Sequence, residues 1–208
     1  MSVVEGPKAV GLIGRVQNIL LKPAAEWDVI EAEPATIQGL YIGYACILAA
    51  IPPVASVLGS LLISHWGVML TIVYGLLQYV LSLVGIFVIA FIVDALAPSF
   101  GGQKNQIEAM KLLVYSYTAS WVAGVFLIIP TLGSLLAGLG GLYSLYLLFL
   151  GLPKLMKSPA DKTVIYFLVT LGVSILVYFA IAIVLGIIAT MAVVGAAATG
   201  AAALGTPN

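Results

Sequence analysis

Residues 34–93 read PATIQGLYIGYACILAAIPPVASVLGSLLISHWGVMLTIVYGLLQYVLSLVGIFVIAFIV, 60 residues without an Asp, Glu, Lys or Arg. A helix needs about 20 apolar residues to cross roughly 30 Å of hydrocarbon, so this run can hold two spans joined by a tight turn. Two more uncharged runs follow, 42 residues from Leu112 to Pro153 and 46 residues from Thr163 to Asn208. We expect two spans in the first of these and one span with a tail in the second. The sequence therefore predicts an all-α, polytopic membrane protein with five transmembrane helices.

Composition indicates that lipid surrounds most of the chain. Of its 208 residues, 62% are hydrophobic and only 8% are charged, which is too little polar surface for a soluble globule. The formal net charge is zero, and the basic residues are too dispersed to form a patch for a polyanion. We therefore expect membrane lipids as partners and no nucleic acid.

The charged residues fall into three short clusters, which share one side of the membrane if the chain crosses five times. The clusters are the N-terminal segment, the loop from Asp94 to Lys111 and the turn from Pro153 to Lys162, and they hold all eight Lys and Arg. Short loops rich in Lys and Arg stay in the cytoplasm. We therefore predict the N-terminus inside and the C-terminus outside.

The predicted organisation has three parts. Residues 1–39 form a cytoplasmic tail with amphipathic helices, residues 40–189 a five-helix membrane domain, and residues 190–208 an Ala/Gly-rich outer tail. The spans are expected at about residues 40–63, 68–93, 112–129, 135–152 and 164–189. A sixth crossing in the weakly apolar C-terminal stretch is the alternative to this count.

A helix with one apolar face is predicted before the first span. Its apolar side chains recur at helical spacing and are Leu12, Ile13, Val16, Ile19 and Leu20. Arg15, Asn18 and Lys22 lie opposite them, on the side that we expect to face water. Pro23 favours the first position of a second short helix, which carries Trp27 and Ile30. Either this apolar surface lies in the headgroup plane with Trp27 and Ile30 toward lipid, or it packs on the protein's own cytoplasmic surface.

Pro52 and Pro53 lie halfway along the first predicted span. Proline has no N–H to donate, so the pair removes two helix hydrogen bonds and frees carbonyl groups near Leu48 and Ala49. The sequence therefore predicts a kink. Freed carbonyls line ion or substrate sites in transporters, whereas prolines in membrane helices also serve packing alone.

Small residues at four-residue spacing mark the third and fourth predicted spans. They are Ser116, Ser120 and Gly124 in the third span, with Ser134 and Gly138, and Ala137 and Gly141, in the fourth. Such stripes let helix backbones approach closely. We expect them to join the two spans within one molecule, or to form a seam between two copies in a homo-oligomer.

The residues that catalysis and metal binding need are scarce. The chain has one histidine, His65, in a predicted outer turn, and one cysteine, Cys46, whereas a zinc or iron site uses three or four such ligands. The carboxylates are predicted on the opposite side of the membrane from His65. No P-loop, nucleophile elbow or metalloprotease motif is present. We predict that the protein is not an enzyme and has no cofactor or metal site.

Asp94 is the acid closest to a predicted span end. Acids inside membrane spans commonly belong to proton relays. An acid at the interface is more often solvated or caps a helix, and this is what we expect of Asp94.

A series of short motifs resembles the bacterial branch of the Yip (Ypt-interacting protein) family of five-span membrane proteins. In order they are Leu21-Lys22-Pro23 with Trp27 and Ile30, Phe100-Gly101-Gly102, the segment from Val114 to Trp121, Ile129-Pro130-Thr131-Leu132-Gly133, and Gly141 to Tyr146. The resemblance implies an integral, non-enzymatic membrane protein with a cytoplasmic N-terminus and a role in membrane organisation. It also implies a location in the bacterial inner membrane.

Two functions fit these observations. The first is a membrane organiser or adaptor that binds lipid or protein partners at the cytoplasmic face, where the candidate contacts are Arg15, Lys22, Lys104, Lys154 and Lys157. These basic residues alternatively act only to set the topology. The second is a small transporter or lipid-translocating protein that uses the kink at Pro52 and Pro53.

Overall fold

The computed structural model describes residues 11–63 and 68–204. These two ranges are helical and contain no strand. Five helical segments are long and apolar enough to cross a membrane, and they are Ile37–Leu62, Val68–Phe100, Gln106–Ile128, Thr131–Met156 and Ala160–Met191. The prediction of an all-α chain with five spans is thus confirmed. The predicted outer turn with His65 lies outside the described residues.

Two short helices precede the first span, α1 (Leu12–Leu21) and α2 (Pro23–Ala32). Pro23 is the first residue of α2, where its missing N–H has no helical partner and its fixed φ suits the helix. Thr36 then caps the first span, because its hydroxyl oxygen accepts a hydrogen bond from the Gly39 N–H at 3.0 Å. The N-terminal segment is therefore a helical hairpin that leads directly into the membrane domain.

The first span is not one uniform α-helix. It is α-helical at Ile37–Leu40, π-helical at Tyr41–Ala45 and α-helical again at Cys46–Ala49, and after an interruption at residue 50 it continues as Ile51–Ile63. The interruption comes directly before Pro52 and Pro53, which cannot donate hydrogen bonds to the carbonyls of Leu48 and Ala49. The helix of the first span is thus interrupted directly before the two prolines at which the kink was predicted.

The second span, Val68–Leu96, ends in a 3-10 turn, Ala97–Phe100. Gly101 follows with a φ of 73°, a left-handed conformation that glycine adopts without steric cost. The chain reverses there and enters the third span, whose first turn is capped by the Asn105 side chain. The third span is also irregular, with helices at Gln106–Ser116 and Thr118–Ala123 and a 3-10 stretch at Gly124–Ile128.

The fourth and fifth spans are continuous helices, Pro130–Met156 and Ala160–Leu204. The fifth helix runs past residue 189, where the predicted span ends, and through the Ala-rich stretch expected as a tail. Alanine has the highest helix propensity of the amino acids, so this composition extends a helix that has already formed. The segment apolar enough to cross the membrane ends at Met191.

The best-buried part of the core lies where α1 and α2 meet the bundle. Its fully buried large side chains are Ile19, Trp27, Ile30, Ile86, Ile89, Met110, Leu112, Leu113, Leu147, Leu152, Met156 and Tyr166. They come from both N-terminal helices and from the second to fifth spans. Farther along the spans, large apolar side chains such as Leu62 and Leu176 face outward, as lipid requires.

The core decides between the two arrangements of the N-terminal helices. Ile19, Trp27 and Ile30 are buried against the bundle, so the expectation that Trp27 and Ile30 enter lipid is wrong. Arg15, expected to face water, is only 5% exposed. The apolar surface of the hairpin therefore packs chiefly on the protein itself.

Candidate functional site: the charged face of the bundle

The charged segments converge at one end of the bundle. The Gln103 N–H donates to the Met156 carbonyl at 2.8 Å, which ties the loop after the second span to the end of the fourth. Residues of the third and fourth spans in turn bind α2. We call this end the charged face and define it as α1, α2, residues 94–111 and residues 153–162.

Lys111 links the third span to α2. Its ammonium group is 2% exposed and donates to the carbonyl oxygens of Ile30 at 3.0 Å and Glu33 at 2.7 Å. A third hydrogen bond, of 2.8 Å, goes to the Glu108 carboxylate. All three ammonium protons thus have acceptors, which is what a buried charge needs.

Arg15 holds the two N-terminal helices together. Its guanidinium forms ion pairs with Glu26 of α2 and with Glu33 beyond it, and it lies 5.6 Å from the ring centroid of Tyr115. Burial acts to lower the pKa of Arg15, but the hydrogen bond and charge of Glu33 raise that pKa above its ordinary value. The guanidinium therefore stays charged, and α1 is fixed to α2 by charge as well as by apolar packing.

Trp27 anchors α2 in the bundle. Its buried ring contacts Tyr115 edge-on, with centroids 6.5 Å apart, and lies against Gly151 of the fourth span. A Cβ on Gly151 would come within 2.7 Å of Trp27 Cζ2. The absence of a side chain at position 151 is thus what makes room for the indole.

Two lysines tie the outer edge of α2 to the end of the fourth span. Lys154 forms an ion pair with Asp28 and donates to the Ala24 carbonyl at 2.9 Å, and Lys157 forms an ion pair with Glu31. These pairs are exposed to solvent. Exposed ion pairs contribute only about 0–1 kcal/mol each, so their partners can exchange at little cost.

The five predicted contacts thus occupy three different settings. Arg15 is buried and paired, and Lys154 and Lys157 are in exposed pairs. Lys22 and Lys104 are exposed and have no ion pair within the described part of the chain. All five residues were predicted as contacts from their charge, but only the structure shows which of them are paired and which are exposed.

Two apolar side chains of α1 are exposed, and one of them, Leu21, is next to Lys22. Leu21 is 78% exposed and Ile13 is 71% exposed. A lysine beside exposed apolar residues is typical of a helix at a membrane surface. Fewer apolar side chains of the hairpin are therefore exposed than its helical periodicity predicts.

A surface cavity of about 490 Å³ opens beside the hairpin, lined among others by Arg15, Glu33, Tyr44 and Tyr115. The Arg15 charge inside it is opposed by Glu26 and Glu33. Because two carboxylates outweigh one guanidinium, the cavity wall offers an anion no net attraction.

Asp94, at the membrane end of residues 94–111, is buried. Its side chain is 4% exposed, and Oδ1 has no hydrogen-bond partner among the residues that the structure describes. The expectation of a solvated or capping carboxylate is wrong, because this end of the second span packs against the fifth, whose Tyr166 hydroxyl donates to the neighbouring Val93 carbonyl at 2.5 Å.

The predicted stripes bring the third and fourth spans together in part. The Ser120 N–H donates to Ser144 Oγ at 2.9 Å, and a Cβ on Gly141 would lie 3.7 Å from Ser120 Oγ. Gly124 instead faces the first span, because a Cβ there would lie 2.5 Å from Pro52 Cγ. Gly138 has no heavy atom within 4 Å of such a Cβ, and exposed Ser134 donates to the Thr131 carbonyl.

A close contact between these spans is at Gly140, a glycine outside the predicted stripes. A Cβ on Gly140 would lie 2.3 Å from Ala123 Cβ and 2.8 Å from the Ala119 carbonyl oxygen. This part of the fourth span has many small residues, so four-residue spacing alone fits several faces of the helix and does not show which face packs. The feature of the sequence that could have identified this contact is Gly140, which lies opposite the small residue Ala123.

Comparison with known proteins finds a family match. A family model described as Yip1 domain matches residues 18–183. Searches of curated proteins and of solved structures found no match. The matched interval runs from the end of α1 into the fifth span, so it includes α2, residues 94–111 and residues 153–162, whereas Arg15 lies before it. Within the described ranges, no cluster of His, Cys, Asp and Glu could hold a metal ion.

Proposed function

Because the chain belongs to the Yip1-domain family of multi-pass membrane proteins, we propose that it is a non-catalytic membrane organiser or adaptor that binds lipid or protein partners at its charged face. The observation that carries this proposal is the convergence of the described charged residues on that single face. The positive-inside bias places the same face in the cytoplasm. Anionic headgroups and acidic protein segments are both found there.

The exposed lysines are the proposed direct contacts. Lys22 and Lys104 are exposed and have no ion pair among the described residues, and Leu21, next to Lys22, is 78% exposed. This combination offers a partner both charge and apolar surface. Lys154 and Lys157 can exchange Asp28 and Glu31 for a phosphate or carboxylate of a partner, because exposed pairs are weak.

Arg15 has a different role in this proposal. Its buried guanidinium holds α1 on α2 and so positions Lys22 between the two helices. Loss of Arg15 affects binding through the shape of the hairpin. Loss of Lys22 or Lys104 affects binding directly.

Crosslinking in native membranes tests the proposal. We compare a variant with Gln at Lys22, Lys104, Lys154 and Lys157 with a matched variant that carries Arg at the same four positions. The Arg variant keeps the charge and should retain its crosslinked partners and lipids, whereas the Gln variant should lose them. A Gln variant that inserts correctly and retains every crosslinked partner and lipid would contradict the proposal.

Translocation of a small molecule or lipid is the second candidate function, and one observation favours it. Pro52 and Pro53 line a cavity between the spans, and broken helices at membrane depth line the substrate sites of transporters. If uptake or lipid translocation collapses when both prolines are replaced by Ala but survives the four Gln substitutions, this function replaces the adaptor.

Location and assembly belong to the same proposal. The family resemblance supports the bacterial inner membrane, and the outward face of Gly138 on the fourth span leaves a small-residue surface for a second copy. Membrane fractionation and native mass spectrometry test these two points separately.

A further inference from the structure

A cavity of about 490 Å³ lies between the spans of the bundle. All five spans contribute to its wall, including Pro52 of the first, Gln78 of the second, Trp121 of the third, Leu145 of the fourth and Tyr178 of the fifth. Each of these residues lies in the interior of its span. The cavity is therefore at membrane depth and is shared by the whole bundle.

The wall is apolar with a set of neutral polar groups. The polar side chains, apart from the tyrosine hydroxyls, are Gln78, Ser82, Ser116, Ser120, Ser144 and Ser174, and no Asp, Glu, Lys, Arg or His is among the described lining residues. Polar groups are costly inside a membrane unless they are hydrogen-bonded. Ser82 and Ser174 meet this need by donating to helix carbonyls, at 2.8 Å each.

Two polar side chains of the cavity wall have no hydrogen-bond partner within the described residues. Ser116 is 1% exposed, and its hydroxyl oxygen makes no hydrogen bond. The half-buried Gln78 side-chain amide likewise has no hydrogen bond there. Buried polar groups in proteins are nearly always satisfied by protein, water or a ligand, so both groups have unused capacity for a bound molecule.

The backbone around the cavity is irregular in two spans. The first span breaks at Ala50, beside the lining residues Ala49 and Pro52, and the third span breaks at Tyr117, also in the wall. Irregular backbone at membrane depth is tolerated where it is buried in protein or lines a cavity. Pro53 also leaves the carbonyl of Ala49, a lining residue, without its helical donor, which adds an acceptor at the same space.

We propose that this cavity binds a neutral lipid whose hydroxyl group meets the polar wall and whose chain fills the apolar part. A charged ligand would find no opposite charge among the described lining residues, and its desolvation would go uncompensated. The volume falls within the range of about 300–1,000 Å³ that is usual for small-molecule sites. A hydroxyl both donates and accepts, so it suits the free carbonyl of Ala49 together with Ser116 or Gln78. This site is independent of the binding proposed at the charged face.

Photolabelling of the full-length protein in phosphatidylcholine vesicles tests the site. The probe is a long-chain alcohol with a diazirine near the end of its chain, and the matched probe is its phosphate monoester. We expect the alcohol to label lining residues such as Leu127, Leu145 and Leu148, and excess unlabelled alcohol to suppress this labelling. The phosphate monoester should label only lipid-facing residues such as Leu139, which is 62% exposed.

Two neighbouring positions provide a matched pair of variants. Ala137 lines the cavity, so Ala137→Leu fills space that the ligand needs. Gly138 is exposed, and nothing lies within 4 Å of a Cβ there, so Gly138→Leu adds the same side chain outside the cavity. We expect labelling of the lining residues to fall about tenfold or more in the first variant and to be unchanged in the second.

Ser116→Ala keeps the packing volume and removes only the hydroxyl. It should weaken labelling by the alcohol while labelling by a diazirine alkane of equal length stays the same. Equal cavity labelling in the parent protein and Ala137→Leu would overturn the proposal. So would labelling of the parent confined to lipid-facing residues, since the cavity would then hold water only.

Discussion

The ammonium group of Lys111, in the third span, lies 3.0 Å from the carbonyl oxygen of Ile30 in the last turn of α2. The two residues are 81 positions apart in sequence. The last carbonyls of a helix have no helical donor, and a cation beside them complements the helix dipole. Lys111 thus supplies from the membrane bundle the C-terminal cap that α2 lacks in its own sequence.

Removal of this cap should weaken the attachment of α2 to the membrane bundle. Lys111→Met leaves the Ile30 and Glu33 carbonyls and the Glu108 carboxylate without their shared donor. We expect a loss of about 3–5 kcal/mol in the free energy of unfolding, as for other broken buried charge networks, and faster amide exchange in α2. Lys104→Met, at an exposed position without an ion pair, is the control and should change neither quantity. Unchanged exchange in Lys111→Met would show that apolar packing alone holds α2.

Arg15 provides a second test of how the N-terminal helices are held, because its charge is balanced by the carboxylates of Glu26 and Glu33. Arg15→Gln leaves Glu26, which is 5% exposed, without its counter-charge, and we expect a loss of about 3–5 kcal/mol in stability. Adding Glu26→Gln removes the stranded charge and should restore part of that loss. If thermal melts in detergent show the double variant to be as unstable as Arg15→Gln alone, the ion pair with Glu26 is not what matters.

The glycines of the fourth span should differ sharply in tolerance to alanine. Gly140→Ala places a methyl group 2.3 Å from Ala123 Cβ, and such overpacking typically costs about 1–3 kcal/mol. Gly138→Ala meets nothing within 4 Å and should be neutral or slightly stabilising, because Ala favours helix over Gly. Melting temperatures of the two purified variants decide the point, and equal values would contradict the packing described for these spans.

Gly151→Ala should displace the indole of Trp27. The new methyl group would lie 2.7 Å from Cζ2, and the ring is enclosed on its other side by Tyr115. In a background with Phe at Trp66 and Trp121, so that Trp27 is the remaining tryptophan, steady-state fluorescence and its quenching by a water-soluble quencher should therefore report greater exposure of this tryptophan. Gly141→Ala, whose methyl group would have an ordinary contact at 3.7 Å, is the control and should leave the spectrum unchanged.

The span count could be predicted from the sequence because charge in hydrocarbon is costly. The uncharged run from Pro34 to Val93 has room for a pair of helices joined by a turn, and the structure has two there. The start of α2 at Pro23 was also predictable, since proline has a defined preference at the first helical position.

The environment of the N-terminal hairpin could not be predicted in the same way. Periodicity shows that Ile19 and its neighbours share one face, but it does not show whether lipid or protein covers that face. Arg15 is buried because Glu26 and Glu33 approach it, and this pairing depends on the turn between α1 and α2. The central cavity was equally hidden, because Gln78 and Ser116 come together only when all five spans pack.

The central claim is that the charged face lies in the cytoplasm, and cysteine accessibility tests it most directly. In a Cys46→Ser background, Gln103→Cys places a thiol on the charged face without changing any charge, and Leu132→Cys places one in the first turn of the fourth span, at the opposite end of the bundle, where residue 132 is 56% exposed. A membrane-impermeant maleimide applied to intact cells should label Leu132→Cys only, and applied to inverted vesicles it should label Gln103→Cys only. Labelling of Gln103→Cys in intact cells, with Leu132→Cys protected, would invert the topology and contradict the account.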